Sequence, residues 1–148
     1  MSGNAAAPEV LSFGCRLNSL ESETMQRHAS SAGLDDVVII NTCAVTAEAE
    51  RQAGQAIRKI KREHPEKRVV VTGCASQINP QKFKDMDGVD FVIGNDVKLH
   101  RESFVMLSRQ PNIGDELPLP SPATSSMQRA FVQVQNGCDH RCTFCIIP

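Results

Sequence analysis

The chain has almost no net charge, with 16 Lys and Arg against 17 Asp and Glu and a formal value of -1 over 148 residues. No strong positive field surrounds it, so any RNA partner must be held by a local patch or by sequence outside this chain. Met1 to Glu9 contain neither a basic stretch nor an apolar run of signal-peptide length, and no window approaches the roughly 20 apolar residues of a membrane span. With these absences the expected location is cytoplasmic. There the compartment keeps thiols reduced, so six cysteines point to metal ligands before disulfides. What the chain does have is apolar material: 41% hydrophobic residues against 22% charged is the composition of a folding chain. The length suits a compact domain of roughly 100 residues and the start of another.

The first part repeats a unit made of a short apolar run, a small-residue turn ending in Cys, and a helical pattern. Val10 to Phe13 leads into Gly14-Cys15, Val37 to Ile40 into Asn41-Thr42-Cys43, and Val69 to Val71 into Thr72-Gly73-Cys74. A fourth run, Phe91 to Ile93, leads into Gly94-Asn95 without a cysteine. The runs are β-branched and continuous, as strands covered on both faces should be. Asn18 with Glu21 offers a capping box for a helix ending near Gly33. Thr46 can cap a second helix whose Ala49, Ala53, Ala56, Ile57 and Ile60 share a face. Asn79-Pro80 starts a short third helix through Phe83 and Met86, and Asp96 begins a last one with Leu99, Phe104 and Leu107. This alternation predicts an α/β fold: a three-layer domain with a parallel sheet and right-handed crossovers over residues 8–110. Pro111, Pro118, Pro120 and Pro122 with Thr124-Ser125-Ser126 make residues 111–128 a linker. Arg129 to Gln135 alternates as a new strand, so residues 129–148 begin a second domain that the chain does not complete.

Cys15 and Cys43 are 28 residues apart and Cys43 and Cys74 are 31 apart, one crossover each. Parallel strands then put all three sulfurs on the carboxyl edge of one sheet, where open α/β sheets carry ligands. Three buried structural cysteines would have the same pattern. Zinc is less suited, because it prefers four ligands and neither His28 nor His64 belongs to that edge. A cubane iron-sulfur cluster with three protein ligands, leaving one iron open, accounts for the set. Cys138, Cys142 and Cys145 follow Gly137 with the spacing C-x3-C-x2-C, a loop able to wrap one corner of a cube and again leave one iron open. A zinc knuckle using His140 is the other reading. This spacing is the mark of radical S-adenosylmethionine enzymes, and Phe144 matches the aromatic position that packs near the cofactor's adenine in them, though a plain core role suits it as well.

Together, Phe13-Gly14-Cys15-Arg16-Leu17-Asn18 with Glu21-Ser22-Glu23, Asn41-Thr42-Cys43-Ala44-Val45-Thr46, Thr72-Gly73-Cys74, and Gln135-Asn136-Gly137-Cys138 through Ile146-Ile147-Pro148 resemble the radical methylthiotransferase family. The resemblance implies an auxiliary 4Fe-4S cluster on Cys15, Cys43 and Cys74. It implies a second on Cys138, Cys142 and Cys145, in the first strand and cluster loop of a truncated radical SAM (TIM-like) barrel. By analogy, one S-adenosylmethionine methylates sulfur at the auxiliary cluster and another yields the radical that abstracts hydrogen from substrate carbon. The segments around Cys15 and Cys43 look most like the branch acting on N6-threonylcarbamoyladenosine beside the tRNA anticodon, where C2 is methylthiolated. Isopentenyladenosine in tRNA is the alternative substrate, and an iron-sulfur binding or electron-transfer module without catalysis is the alternative class. The family's partners would be tRNA, through C-terminal parts missing here, and a reductant such as flavodoxin or ferredoxin. A monomer is expected, and this fragment alone is predicted to be inactive.

Three smaller features are ambiguous in sequence. Arg58, Lys59, Lys61, Arg62, Lys67 and Arg68 suit either RNA backbone or a solvated helix face. Asn41 and Thr42 suit either cluster orientation or turn satisfaction. Arg141 suits either charge balance or solvent.

Overall fold

A computed structural model describes residues 7–109, 134–135 and 137–146. The element order is β1 (Glu9–Ser12), α1 (Arg16–Ser31), β2 (Val37–Thr42), α2 (Ala47–Glu63), β3 (Arg68–Gly73), α3 (Cys74–Ile78), α4 (Pro80–Lys84), β4 (Phe91–Val92) and α5 (Arg101–Arg109). The four strands form one parallel sheet in the order β1-β2-β3-β4. All six residues of β2 are buried, which is why its sequence is an unbroken apolar run with Asn41 and Thr42 at the end.

Alternate residues of the strands feed two cores. Val37, Ile39, Val70 and Ile93 pack with Met25 and Ala29 of α1 and Phe104 and Leu107 of α5. Val38, Ile40, Val69 and Val71 pack with Ala53, Ile57 and Ile60 of α2 and with Phe83 of α4. The fold is therefore an α/β sandwich of helix, sheet and helix layers.

One expectation fails. The strand order advances in a single direction, yet α1 crosses on one face while α2 and the α3–α4 pair cross on the other. Two crossovers that advance the same way on opposite faces have opposite hands, so the right-handed rule is broken at least once. Only five residues separate α1 from β2, which leaves no room for another strand between them.

Helix starts divide into those set locally and those set by packing. Thr46 Oγ1 accepts from the Ala49 amide at 3.2 Å, and Asn79 Oδ1 accepts from the Lys82 amide at 3.2 Å, as the sequence indicates. The capping box at Asn18 and Glu21 does not form. Cys15 is the N-cap of α1 and makes no side-chain cap, while Asn18 lies inside the helix and donates to the carbonyls of Asn41 and Thr42 at 3.4 and 3.3 Å. Buried carbonyls at the end of β2 outcompete the helix's own first turn. The last helix begins at Arg101 and not at Asp96, because residues 95–99 form turns that draw Lys98 inward. The linker over 111–128 and most of the strand expected over Arg129 to Gln135 lie outside the described residues; Val134 and Gln135 are in irregular backbone.

Candidate metal centre

The carboxyl ends of the strands are tied together by short polar side chains. Thr42 Oγ1 donates to the Thr72 carbonyl at 2.7 Å, and Thr72 Oγ1 donates to the Ile93 carbonyl at 2.8 Å. The Ser76 amide donates to Thr42 Oγ1 at 3.3 Å, fastening the start of α3 to β2. Asn41 Nδ2 faces Asn18 O, Glu21 Oε2 and Ser22 Oγ at 3.1 to 3.3 Å. Asn41 and Thr42 thus satisfy backbone and neighbouring side chains and fix the platform from which the cysteines rise.

Cys15 caps α1, Cys43 follows β2 and Cys74 opens α3 directly after β3. All three thiols are free and stand on the carboxyl edge of the sheet. Cys15 and Cys43 line a cleft of about 410 Å³ with Phe13, Gly14, Val45 and Thr46. Gly14 makes that approach possible: a Cβ there would lie 3.0 Å from Cys43 Cβ and 2.7 Å from Asn18 Nδ2. Cys43 is buried, and its Sγ accepts from the Val45 amide at 3.4 Å. Cys74 is half-buried and outside that cleft lining; its Sγ faces Asn95 Nδ2 at 4.0 Å. Burial pushes the Cys74 thiol up from its ordinary value, Lys98 and Asn95 act against this, and the charges of Glu21 and Cys43 add to it. Among the described residues, no three His, Cys, Asp or Glu side chains are grouped to hold one metal ion.

Lys98 and Glu21 form a buried ion pair at 2.6 Å, their side chains 2% and 5% exposed. Taking two such charges out of water costs several kcal/mol per ion before their attraction offsets it. A single Lys between Val97 and Leu99 has no local signal to mark it as buried, and Glu21 is readable only as half of a capping box. The histidines lie elsewhere: His28 packs against Phe104 with ring centroids 6.0 Å apart, and burial, with Arg27, holds its imidazole below the usual range. His64 ends α2.

The basic segment is largely neutralised. Lys61 pairs with Asp90 at 2.8 Å, Lys67 with Glu9 at 3.4 Å and Arg68 with Asp36 at 2.6 Å. In the second cysteine loop, the Cys145 amide donates to the Cys142 carbonyl at 3.1 Å, and Gly137 takes a φ of +77°. Cys138 is half-buried, Cys142 and Cys145 are exposed, and Phe144 is 92% exposed, so a core role for that ring is not seen among the described residues. His140 and Arg141 are exposed.

The fold and this edge define a parallel α/β domain whose strand-end turns present three thiols on one side. The family described as "Uncharacterized protein family UPF0004" matches residues 9–94, and the chain belongs to it. The chain is 46% identical to "Threonylcarbamoyladenosine tRNA methylthiotransferase MtaB" of Rickettsia prowazekii, over 98% of this chain and 36% of that protein. It is 32% identical to the protein of the same name in Bacillus subtilis, over 92% of this chain and 34% of the relative. It is 31% identical to "tRNA-2-methylthio-N(6)-dimethylallyladenosine synthase" of Sorangium cellulosum, over 94% and 34%. The chain spans about a third of the length of the curated relatives it matches. No solved structure gives a significant match. Among the described residues, no helix is long and apolar enough to cross a membrane.

Proposed function

We propose that this chain forms the N-terminal part of a tRNA methylthiotransferase that acts at C2 of N6-threonylcarbamoyladenosine beside the anticodon. In this reading Cys15, Cys43 and Cys74 hold an auxiliary 4Fe-4S cluster, and Cys138, Cys142 and Cys145 hold a second one that binds S-adenosylmethionine. Residues 111–128 are the linker and 129–148 the start of the radical domain. When bound, the two clusters and the cofactor supply the sulfur, the methyl group and the radical for attack on an unactivated C–H bond. Phe144 gives a flat apolar face for the cofactor's adenine. A flavodoxin or ferredoxin serves as reductant.

The observation that carries the reading is that Cys15 and Cys43 open onto one cleft at the carboxyl edge of the sheet, the same edge on which Cys74 follows β3. Cys15, Cys43 and Cys74 are free thiols on one sheet edge that are not closely grouped among the described residues, and an amide hydrogen bond such as that from Val45 to Cys43 would stabilise cluster sulfur there. The threonylcarbamoyladenosine branch is favoured by the relative at 46% identity. The dimethylallyladenosine synthases also matched leave isopentenyladenosine as the second substrate to test.

The test is anaerobic reconstitution of the chain with ferrous iron and sulfide. About eight irons per chain are expected in the parent, and about four in either triple variant, Cys15→Ala/Cys43→Ala/Cys74→Ala or Cys138→Ala/Cys142→Ala/Cys145→Ala. Zinc in place of iron, or the same iron content in all three proteins, overturns the two-centre reading. Mass spectrometry of tRNA nucleosides from cells with and without the gene decides between the two adenosines.

A further inference from the structure

The helix α2 starts at the wall of the cleft and runs away from it. Glu48, Ala49 and Gln52 of its first turns line that space, and the helix continues to Glu63 at a rise of about 1.5 Å per residue. Its inward face is buried in the core through Ala53, Ile57 and Ile60. Gln55, Arg58, Lys59 and Arg62 are exposed, and their spacing of three and four residues puts them on one outward face.

From Gln52 to Arg62 the helix contains no acidic residue. The acids before this stretch are engaged: Glu48 pairs with Arg51 at 2.6 Å and accepts from Gln52 at 2.8 Å, and Glu50 pairs with Lys82 of α4. Lys61 turns away to Asp90 and to the Lys67 carbonyl, both at 2.8 Å. The side chains of Arg58 and Lys59 have no hydrogen bond or ion pair with any described residue. Arg62 meets only Glu63, at 3.7 Å and with both side chains exposed, a pairing that solvent and salt screen. The Arg58 guanidinium folds back over Gly54, where an added Cβ would lie 3.7 and 3.9 Å from its two terminal nitrogens. That carries its charge toward the cleft end of the helix. Unmatched cations on one exposed face are the local patch by which a nearly neutral chain can hold a polyanion.

We propose that Arg58, Lys59 and Arg62 form a docking strip on α2 for the phosphate backbone of an RNA stem-loop whose base is presented to the cleft where the helix begins. The inference rests on the reading that the substrate is tRNA, and it assigns to this chain a surface that grips it. Arg guanidinium groups suit phosphate oxygens, and such contacts position a nucleic acid without reading its sequence. An anionic membrane is less suited, because the apolar face that α2 would insert is already buried in the core.

The experiment titrates the full chain into a fluorescent RNA hairpin at several salt concentrations, with vesicles containing phosphatidylglycerol as the second probe. Arg58→Gln/Arg62→Gln is compared with Arg101→Gln/Arg109→Gln, which removes two exposed cations from α5 on the other side of the sheet. The α2 pair is expected to weaken RNA binding about tenfold or more at low salt and to reduce the slope of log affinity against log salt by about 0.7–0.9 per lost phosphate contact. The α5 pair is expected to bind as the parent does. Equal weakening in both pairs, binding to vesicles but not to RNA, or no salt-dependent RNA binding by the parent overturns the inference. Glutamine keeps the helix propensity of these positions, and circular dichroism checks that each variant is folded. If the α2 pair fails to fold, Lys59→Gln alone carries the test: a slope lower by about 0.7–0.9 supports the strip and an unchanged slope overturns it. Failure of the strip leaves the nucleoside analysis untouched, whereas unchanged tRNA nucleosides in cells without the gene overturn the tRNA reading itself.

Discussion

Gly73 has a φ of +103°, and a Cβ there would fall 2.3 Å from the Thr42 carbonyl oxygen and 2.6 Å from the Thr42 amide nitrogen. The obstruction is backbone of the central strand, which cannot swing aside as a long side chain can. Positive φ alone costs a non-glycine residue about 1–3 kcal/mol, and the contact adds to it. Gly73→Ala is therefore expected to lose at least about 2 kcal/mol of stability in urea unfolding. A loss below about 0.5 kcal/mol, the range of an ordinary surface change, would contradict the account. Gly14 is different: its Cβ would meet the Asn18 amide group and Cys43 Cβ, which are side-chain atoms. Sequence reveals both glycines as turn residues, but only the packed strands show which is blocked by backbone.

At the scale of elements, helices begin where the sequence says they do when the cap is exposed and local. Thr46 is exposed, its hydroxyl reaches the Ala49 amide within its own turn, and Glu48 and Glu50 in that turn suit the positive end of the helix. Thr46→Ala should lower stability by about 1 kcal/mol, and Thr46→Ser should restore it to within a few tenths. Equal loss in both variants would mean that the methyl group, which borders the cleft, matters more than the cap. Asn18 shows the opposite case, where another residue type that caps helices well is claimed by carbonyls of β2. β2 and β3 are legible because continuous β-branched runs survive only where both faces are covered. The short α3 is not, since Cys74–Ile78 has no cap signal and takes its place from the Ser76–Thr42 bond.

Across the whole molecule the sheet separates two cores, one with Met25 fully buried and the other with Ile57 fully buried. Each truncation to Ala is expected to cost about 2–5 kcal/mol, the usual range for a large buried aliphatic side chain. Because the sheet lies between them and they share no partner in either cluster, the double variant Met25→Ala/Ile57→Ala should lose the sum of the single losses within about 0.5 kcal/mol. A coupling energy above 1 kcal/mol would show that the layers respond as one. If the double variant is too unstable to measure, Met25→Leu with Ile57→Val gives the same test at smaller amplitude.

The sequence by itself determined the alternation of strands and helices, the parallel sheet, and the placement of Cys15, Cys43 and Cys74 on one edge, because each follows from local periodicity and from crossover length. Tertiary structure alone decided the face on which each crossover runs, hence the mixed handedness, because face depends on which helices share a core. It also decided that Asn18 would bridge to β2 and that Lys98 would meet Glu21 across 77 residues of chain. A side chain's partner at that distance is set by the packed layers, and no nearby residue foretells it.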